Sequence, residues 1–312
     1  MERSKEDLMY SYAAGAIDGD GAIYLVKEKQ DDRVAYIPFV QLAKKFGTFI
    51  SSFKNDFGGS VGSIKPRLPH HAPLHYWRLK GSENCRSFIQ GVMRFLVYKK
   101  ERAELLGEYI EKNPFVRGKI LSLDQIAERE KYHVKLASMN DEAYLRDISM
   151  SKLALINNED PAFWSYMAGI MDTDGSFSVK RQKGQSDTKN LRYMPQIQMS
   201  MASLDVINHI RKNCVYGTVC VAKNKSCIRG YHYAWSISKK QDSLEFVEKI
   251  LPYLKEKKEQ ALILLDFCKN SKNTSFCKGG IPEKELEFRE SCYQRIVETN
   301  KRGSLLCESH QG

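Results

Sequence analysis

Two stretches of the chain, roughly residues 8–112 and 161–270, repeat one order of apolar and polar positions. Each begins with small and apolar residues at helical spacing and passes, at a glycine, into a strict alternation of apolar and polar residues. Such alternation is the period of a half-buried strand. A polar break, a second alternating run, another helical pattern and two further strands follow. We therefore predict two units that each read helix, hairpin, helix, hairpin, helix.

Matching segments mark the elements of the two units. The predicted first and second strands are the alternating runs 22–26, 38–42, 176–180 and 195–199. Apolar residues of helical period around Phe49 and Val206 predict the middle helices, and Trp77 and Trp235 mark the fourth strands. Two similar segments that begin with an aromatic residue and a leucine are interpreted as the closing helices, at 95–101 and 253–259.

The region between the repeats is polar, with one helical stretch over Leu123–Leu136. Pro161 suits the first turn of the next helix, where its missing N–H costs nothing. The predicted organisation is a first unit at 1–118, a partly helical linker at 119–160, a second unit at 161–270, and a tail at 271–312 with one helix over Pro282–Thr299. The fold class is α+β, with two pseudo-symmetric αββαββα units, each an antiparallel sheet with helices on one face.

One motif, Tyr-x-Ala-Gly-x-x-Asp-x-Asp-Gly, occupies residues 12–21 and again residues 166–175. At average residue frequencies even its Ala-Gly-Asp-Asp-Gly core is a chance match in on the order of one in a few thousand chains. Two copies in matching contexts therefore indicate a duplication. The closing residues, Gly21 and Gly175, are expected to end the helices, because glycine accepts the left-handed conformation found at many helix ends.

Small residues make the two motif helices thin. They are Ala13, Ala14, Gly15 and Ala16 in the first helix, and Ala168 and Gly169 in the second. Small side chains let two helix backbones approach closely. If these helices pack side by side, their last turns bring Asp20 and Asp174 near each other. Asp18 and Asp172 are predicted to be structural, through hydrogen bonds to backbone near the helix end.

Two carboxylates at helix C-termini are unfavourable by themselves, because the helix end carries partial negative charge and like charges repel. A divalent cation held between Asp20 and Asp174 relieves both problems. Mg²⁺ suits such oxygen ligands, keeps part of its water shell and binds phosphate. The chemistry that follows is phosphodiester hydrolysis. The alternative is that the motif only ends a helix and starts a turn, where Asp and Gly are common.

The charge of the chain favours a polyanionic partner. The 312 residues carry a formal net charge of +11, with a pI near 9.1. Each cation placed near a phosphate releases a counterion, which favours binding. A basic protein without a nucleic-acid role is the alternative on charge alone.

Composition excludes several other classes. No apolar run reaches the roughly 18 residues of a membrane span. The amino-terminal residues form no apolar signal core, so we expect an intracellular protein, in a bacterial cytoplasm, a phage-infected cell or an organelle. The eight cysteines include no C-x-x-C pair, so the usual structural zinc spacings are absent and the thiols are expected to be reduced packing residues.

The motif copies Ala13–Gly21 and Met167–Gly175 resemble the signature of the LAGLIDADG homing endonucleases. The resemblance covers both units and points to the monomeric branch with two motifs in one chain. It implies that the two curved sheets form a saddle over the DNA major groove, with the motif helices packed at its centre. It also implies a double-strand break with staggered ends, made across the minor groove.

The resemblance further implies roles for residues of the site. Asp20 and Asp174, with Gly19 and Thr173 beside them, are expected to bind catalytic Mg²⁺, for which Mn²⁺ or Ca²⁺ can substitute in binding. The implied catalytic residues are Asp20, Asp174, Lys44, Lys99 and Lys257. The last two begin the closing helices and could stabilise charge on the phosphate, although each could equally lie on a solvated helix face.

This chain departs from the family's pattern at two places. Ala16 stands where the family has a larger apolar residue, which changes packing rather than chemistry. Lys44 matches a basic residue at the end of the second strand, whereas the second unit offers Met201 or Ser200 there. We therefore expect an asymmetric pocket.

Strand alternation sorts the side chains of the predicted sheets into two faces. Ile23, Leu25, Phe177 and Val179 are expected to face the helices. The opposite face is expected to read DNA, since Gln and Arg pair with purine edges and Lys more often contacts phosphate. Its candidates are Tyr24, Glu28, Gln30, Gln41, Lys65, Arg67, Arg78, Ser176, Ser178, Lys180, Gln182, Gln196, Gln198, Arg229 and His232. The alternative is an ordinary polar sheet surface.

Two other functions fit the same fold. One is a maturase that binds intron RNA, and the other is a DNA-binding regulator without catalysis. Retention of both motif aspartates and of both lysines at the closing helices favours the nuclease. The expected partner is double-stranded DNA, with intron RNA as the alternative, no membrane, and a monomeric protein.

Overall fold

The computed structural model describes residues 3–30, 33–45, 47–64, 73–114, 120–142, 158–183, 191–223, 231–272 and 281–305. The first unit comprises α1 (Lys5–Asp20), β1 (Gly21–Gln30), β2 (Arg33–Lys44), α2 (Gly47–Phe57), β3 (Ser60–Ile64), β4 (Leu74–Lys80), α3 (Ser82–Val92) and α4 (Lys100–Lys112). Helix α5 (Leu123–Glu142) follows. The second unit comprises α6 (Pro161–Asp174), β5 (Gly175–Lys183), β6 (Leu191–Met201), α7 (Leu204–Asn213), β7 (Thr218–Lys223), β8 (Tyr231–Ile237), α8 (Lys240–Ile250) and α9 (Lys258–Asn270), and α10 (Glu283–Leu305) ends the described chain.

Each unit has one four-stranded antiparallel sheet, in the orders β1-β2-β4-β3 and β5-β6-β8-β7. The predicted α+β fold of two matching units is confirmed. Ile23, Leu25, Phe177 and Val179 are all buried, as the alternation predicted. In each unit a buried tryptophan of the fourth strand, Trp77 or Trp235, packs in an aromatic cluster on the helix side of the sheet.

In the part of the chain that the structure describes, no helix is long and apolar enough to cross a membrane.

The predicted closing helices are wrong in one respect. Residues 95–99 form a turn between α3 and α4, and residues 253–257 form the equivalent turn between α8 and α9. In the first unit the carboxylate of Asp18 accepts hydrogen bonds from the backbone N–H groups of Val97 and Lys99, both at 2.8 Å. A continuous helix would direct those N–H groups to its own carbonyls. The apolar pattern therefore extends across a break that a distant carboxylate stabilises.

The two motif helices end as predicted, but not for the predicted reason. Gly21 has φ −76° and Gly175 has φ −85°, so both are extended rather than left-handed. Glycine is required because of crowding. A Cβ on Gly21 would lie 2.6 Å from Cα of Ile17, and a Cβ on Gly175 would lie 2.7 Å from Cα of Met171.

The pseudo-symmetry extends to α5 and α10, which are longer than the predicted helices of the linker and the tail. Glu130 of α5 accepts hydrogen bonds from Lys27 and Tyr36, which pair across β1 and β2. Glu290 of α10 accepts hydrogen bonds from Arg181 and Tyr193, which pair across β5 and β6. Each hairpin is thus held by one helix that lies outside the predicted unit, and we call α5 and α10 the straps of the two hairpins.

Candidate active site and nucleic-acid interface

The motif helices α1 and α6 pack against each other at the centre of the molecule. The packing is close enough that a Cβ on Gly19 would lie 2.2 Å from Oγ1 of Thr173 and 3.0 Å from Oδ2 of Asp174. The prediction that small residues allow this approach is confirmed at Gly15 and Gly169, where an added Cβ would lie 2.1 Å from a carbonyl oxygen of the opposite helix. The last turns of the two helices, one from each unit, therefore meet.

Asp20 and Asp174 share the electrostatic environment at this meeting point. Burial raises the pKa of Asp174 to about 6, and the negative charge of Asp20 adds to the rise. The positive charges of Lys44, Lys99 and Lys257 oppose it. The two carboxylates that the motif singled out thus lie close enough to repel each other, and the positive charges of three lysines act on the same site.

Lys44 connects the two halves of this site. At the end of β2, its ammonium group pairs with the carboxylate of Asp20 and donates a hydrogen bond of 2.7 Å to the carbonyl oxygen of Thr173. Because Gly21 pairs with Leu42 and Gly175 with Met199 in their sheets, Met201 occupies the equivalent position in the second unit. Met201 is buried and apolar. The site therefore carries the asymmetry that the sequence predicted.

Lys99 and Lys257 point into the protein rather than along a solvated helix face. Lys99 donates to the carbonyl oxygens of Ile17, Asp18 and Gly19 at 2.6–3.1 Å. Such bonds satisfy carbonyls at a helix C-terminus, where partial negative charge favours a cation. Burial nevertheless lowers the pKa of Lys99 to about 8, against the favourable charges of the nearby aspartates.

Lys257 mirrors this arrangement at the end of α6. It donates to the carbonyl oxygens of Met171, Thr173 and Gly175 at 2.6–3.3 Å. Burial, together with the positive charge of Lys44, lowers the pKa of Lys257 to about 8. Both lysines are thus partly buried cations held at the ends of the motif helices, next to the paired carboxylates.

Asp18 and Asp172 are buried and bind backbone, as predicted, but the backbone belongs to the turns before α4 and α9. Asp172 accepts from the N–H groups of Lys255 and Lys257, both at 2.8 Å. Each of these aspartates also accepts a tyrosine hydroxyl from the other unit. Sequence reasoning missed the tyrosines, although their place in the repeated motif was a signal that could have identified them.

The donor groups at the helix ends fit a hydrated divalent cation. The carboxylates of Asp20 and Asp174 repel each other, and the ammonium group of Lys44 already pairs with Asp20. The position between the two carboxylates therefore favours positive charge. Among the residues that the structure describes, no group of three or more His, Cys, Asp or Glu side chains could hold a metal. An ion there would need water and phosphate for the rest of its shell, as Mg²⁺ tolerates. The carbonyls of Gly19 and Thr173, the other predicted ligands, accept from lysines.

The predicted DNA-reading residues fall on one face of each sheet. Cross-strand pairing joins Gln41 with Arg78, and Ser176 and Ser178 with Gln198 and Gln196. By the same alternation, this face also carries Tyr24, Glu28, Lys180 and Gln182. Lys65, Arg67 and Arg229 lie outside the residues that the structure describes, as do the side chains of Gln30 and His232.

Side chains on these faces are partly held by one another. Arg78 donates two hydrogen bonds to Oε1 of Gln41, at 2.9 and 2.7 Å, and Tyr24 donates a third at 3.1 Å. The guanidinium also lies over the rings of Phe39 and Tyr76. These two aromatic residues were not predicted for this face, and cross-strand register is what places them there.

The second unit of the chain matches a known protein family. The family model described as LAGLIDADG endonuclease matches residues 167–271. No curated protein matches the chain closely enough in sequence to count as a relative. The structure of I-SmaMI bound to an uncleaved DNA target in the presence of calcium ions is similar over 92% of this chain and 98% of its own, with 16% identity and a TM-score of 0.63.

Two further solved structures are similar over nearly their whole length. The LAGLIDADG homing endonuclease I-GzeII, in complex with its DNA target, has a TM-score of 0.61 at 16% identity, covering 94% of this chain and 97% of its own. I-SmaMI bound to cleaved DNA has a TM-score of 0.61 at 14% identity, covering 93% and 97%. The chain therefore has the single-chain, two-domain LAGLIDADG fold. The resemblance drawn from the two motifs is confirmed by the family model and by these structures.

Proposed function

We propose that the protein is a site-specific endonuclease that cuts both strands of double-stranded DNA and requires a divalent metal, Mg²⁺ by preference. The observation that carries this proposal is the meeting of Asp20 and Asp174 at the ends of two closely packed helices, where the charges of three lysines act on the carboxylates. A regulator that only bound DNA would have no need of paired, mutually repelling carboxylates.

The two sheets supply the surface that would bind the duplex. Their polar faces carry the Gln, Arg, Ser and Lys side chains that read base edges and phosphates in the major groove. Sequence differences between the two faces, such as Arg78 against Ser236, favour a long and nearly asymmetric site, because a symmetric one would present the same groups twice. One chain carries both faces, which supports a monomer.

The residues of the site divide the work of hydrolysis. Asp20 and Asp174 would hold the metal, which when bound polarises the scissile phosphate and activates water. Lys44, at the boundary of the two halves, provides positive charge beside Asp20. Lys99 and Lys257 provide fixed positive charge for the developing negative charge on each phosphate. Pseudo-twofold symmetry relates the two lysines as it relates the two DNA strands, so each lysine serves one strand.

The similar structures support this assignment. Their names describe I-SmaMI on uncleaved and on cleaved DNA, and I-GzeII in complex with a DNA target. The calcium ions named with the uncleaved complex are consistent with a divalent-metal site in a protein of this fold. Transfer of these properties to this chain depends on the shared placement of the two motif helices.

A cleavage screen tests the proposal. The purified chain is incubated with a library of partly randomised duplex sites in Mg²⁺, and the cut molecules are sequenced. We expect a family of related sites cut on both strands. Asp20→Asn and Asp174→Asn are the matched controls, which should lose cleavage and still bind the selected site in Ca²⁺. Cleavage at the normal rate by either variant would show that the site is assigned wrongly.

The screen also separates the proposal from its rivals. Uncut DNA together with tight binding of intron RNA would replace the endonuclease with a maturase. Tight, site-specific binding of DNA without cleavage in any divalent metal would replace it with a regulator.

A further inference from the structure

Two tyrosines form reciprocal hydrogen bonds between the units. The hydroxyl of Tyr12 in α1 donates to Oδ2 of Asp172 at 2.6 Å, and the hydroxyl of Tyr166 in α6 donates to Oδ2 of Asp18 at 2.9 Å. All four side chains are buried. Each bond therefore joins a tyrosine of one unit to a buried carboxylate of the other. The pseudo-twofold symmetry of the two units relates the two bonds.

The receiving carboxylates hold the turns that carry the two site lysines. Asp18 accepts from the N–H groups of Val97, Tyr98 and Lys99 at 2.8–3.2 Å, so it fixes the turn from which the Lys99 side chain reaches the end of α1. Asp172 holds Lys257 in the same way, through two N–H groups at 2.8 Å. One carboxylate thus holds the backbone of the turn that carries each lysine.

We propose that Tyr12 and Tyr166 are positioning residues that place the lysine of the opposite unit: Tyr166 acts through Asp18 on Lys99, and Tyr12 acts through Asp172 on Lys257. The inference rests on the proposed endonuclease function, because the lysines are its phosphate-stabilising groups. Its consequence is that neither lysine is fully placed unless the two units are docked. Completion of each half of the site is thereby coupled to the other half.

The hydroxyl, rather than the ring, carries this role. Burial, with the negative charge of the receiving aspartate, raises the pKa of both tyrosines well above the ordinary value, so both hydroxyls remain donors. The rings have packing partners in their own units, Phe53 for Tyr12 and His209 for Tyr166. A Tyr→Phe substitution keeps that packing and removes only the bond between units, which leaves one lone pair of a buried carboxylate unsatisfied.

Strand-specific kinetics test the proposal. A supercoiled plasmid with the selected site is cut under single-turnover conditions, and the nicking rate of each strand is measured by end-labelling. Lys99→Ala and Lys257→Ala first identify the strand that each lysine serves. We expect Tyr166→Phe to slow the Lys99 strand about tenfold, and Tyr12→Phe to slow the Lys257 strand to a similar degree, with unchanged affinity for the site in Ca²⁺.

Double variants add a readout that a merely structural tyrosine would not move. Tyr166→Phe should have little further effect in the Lys99→Ala background, because both act on one group, and its full effect in the Lys257→Ala background. Tyr109→Phe is the matched control, since it removes a buried hydroxyl that donates to the carbonyl of Tyr36 at 2.9 Å, away from the site. It should leave both strand rates unchanged.

The outcomes separate this inference from the function on which it rests. If the wild-type chain cuts and Tyr166→Phe slows both strands equally, or multiplies the loss caused by Lys99→Ala, the positioning role is wrong and the endonuclease stands. If wild type and Tyr109→Phe cut no member of the library, the proposed function is wrong and the positioning role falls with it.

Discussion

Gly15 and Gly169 each face the backbone of the opposite motif helix. A Cβ on Gly15 would lie 2.1 Å from the carbonyl oxygen of Tyr166, and a Cβ on Gly169 would lie 2.1 Å from the carbonyl oxygen of Tyr12. The obstacle in both cases is backbone, which cannot rotate away. Any side chain at these positions must push the helices apart, and with them the carboxylates at their ends.

Gly15→Ala is therefore expected to destabilise the protein although alanine is the better helix former. Overpacking of a tight contact costs about 1–3 kcal/mol, which exceeds the roughly 1 kcal/mol that alanine gains over glycine within a helix. Thermal or urea unfolding measures the difference, and cleavage should fall with it. Gly107→Ala in α4 is the matched control, because the nearest atom to its added Cβ lies 3.9 Å away. That variant should be at least as stable as wild type.

Lys44→Met tests the asymmetry of the site. It copies into the first unit the residue that the second unit has at Met201 and removes the cation beside Asp20. We expect single-turnover cleavage to fall about tenfold, equivalent to about 1.4 kcal/mol of transition-state stabilisation, and the two strands to be affected unequally, so that nicked plasmid accumulates. Met201→Leu, which exchanges one apolar side chain for another, should leave the strand rates unchanged. Equal slowing of both strands by Lys44→Met would contradict the prediction.

Glu256 makes stability depend on pH. Burial, and then the negative charge of Asp172, raise the pKa of Glu256 to about 7. The folded protein therefore holds this proton more tightly than the unfolded chain, and stability contributed by this group falls as pH rises from about 4.5 to about 7.

Glu256→Gln should accordingly raise the free energy of unfolding at pH 8, by about 1–2 kcal/mol after allowance for solvent screening. The gain should shrink as pH falls towards 4.5, where the glutamate is increasingly neutral in both states. Urea unfolding across this pH range measures it. Glu259→Gln, at an exposed glutamate in the first turn of α9, should show no comparable gain at pH 8.

The sequence predicted the layers and the paired aspartates because those depend on local period and on a repeated motif. Alternation identified the buried positions Ile23 and Phe177, and the small residues of the motif predicted the contact at Gly15. The turn at residues 95–99 was not predictable in this way, because apolar residues continue through it. What breaks the helix there is Asp18, about 80 residues earlier in the chain, and the period of a segment contains no information about such a partner.

The equivalence of α5 and α10 was also not predictable from the sequence, because it depends on contacts with distant strands. Both helices are rich in charged residues. The contacts to the hairpins come from single glutamates, Glu130 and Glu290, and each shares with the other only the preceding arginine. The hairpin partners do repeat: Tyr36 and Tyr193 hold matching positions in β2 and β6. In both units, a paired tyrosine and cation on neighbouring strands contact a helix that lies outside the repeat.

Substitution of these glutamates tests whether the straps support DNA reading. Glu290→Ala removes the acceptor for Arg181 and Tyr193, and so should loosen the β5–β6 hairpin while leaving β1–β2 intact. Because the pair is partly exposed, its loss is expected to cost at most about 1 kcal/mol. If DNA binding has to restore the order of the hairpin, Kd therefore rises by at most roughly fivefold. The loss of discrimination should be confined to the half-site that the second sheet contacts.

Glu130→Ala is the reciprocal control. It removes the acceptor for Lys27 and Tyr36 in the first unit, and should affect the half-site that the first sheet contacts. Affinity is measured in Ca²⁺ with duplexes that carry single mismatches to the selected site in one half or the other. Each variant should relax discrimination in one half only. If both variants weaken binding equally in both halves, α5 and α10 stabilise the whole protein rather than their own hairpins, because an effect on one hairpin cannot spread evenly over two separate sheet faces.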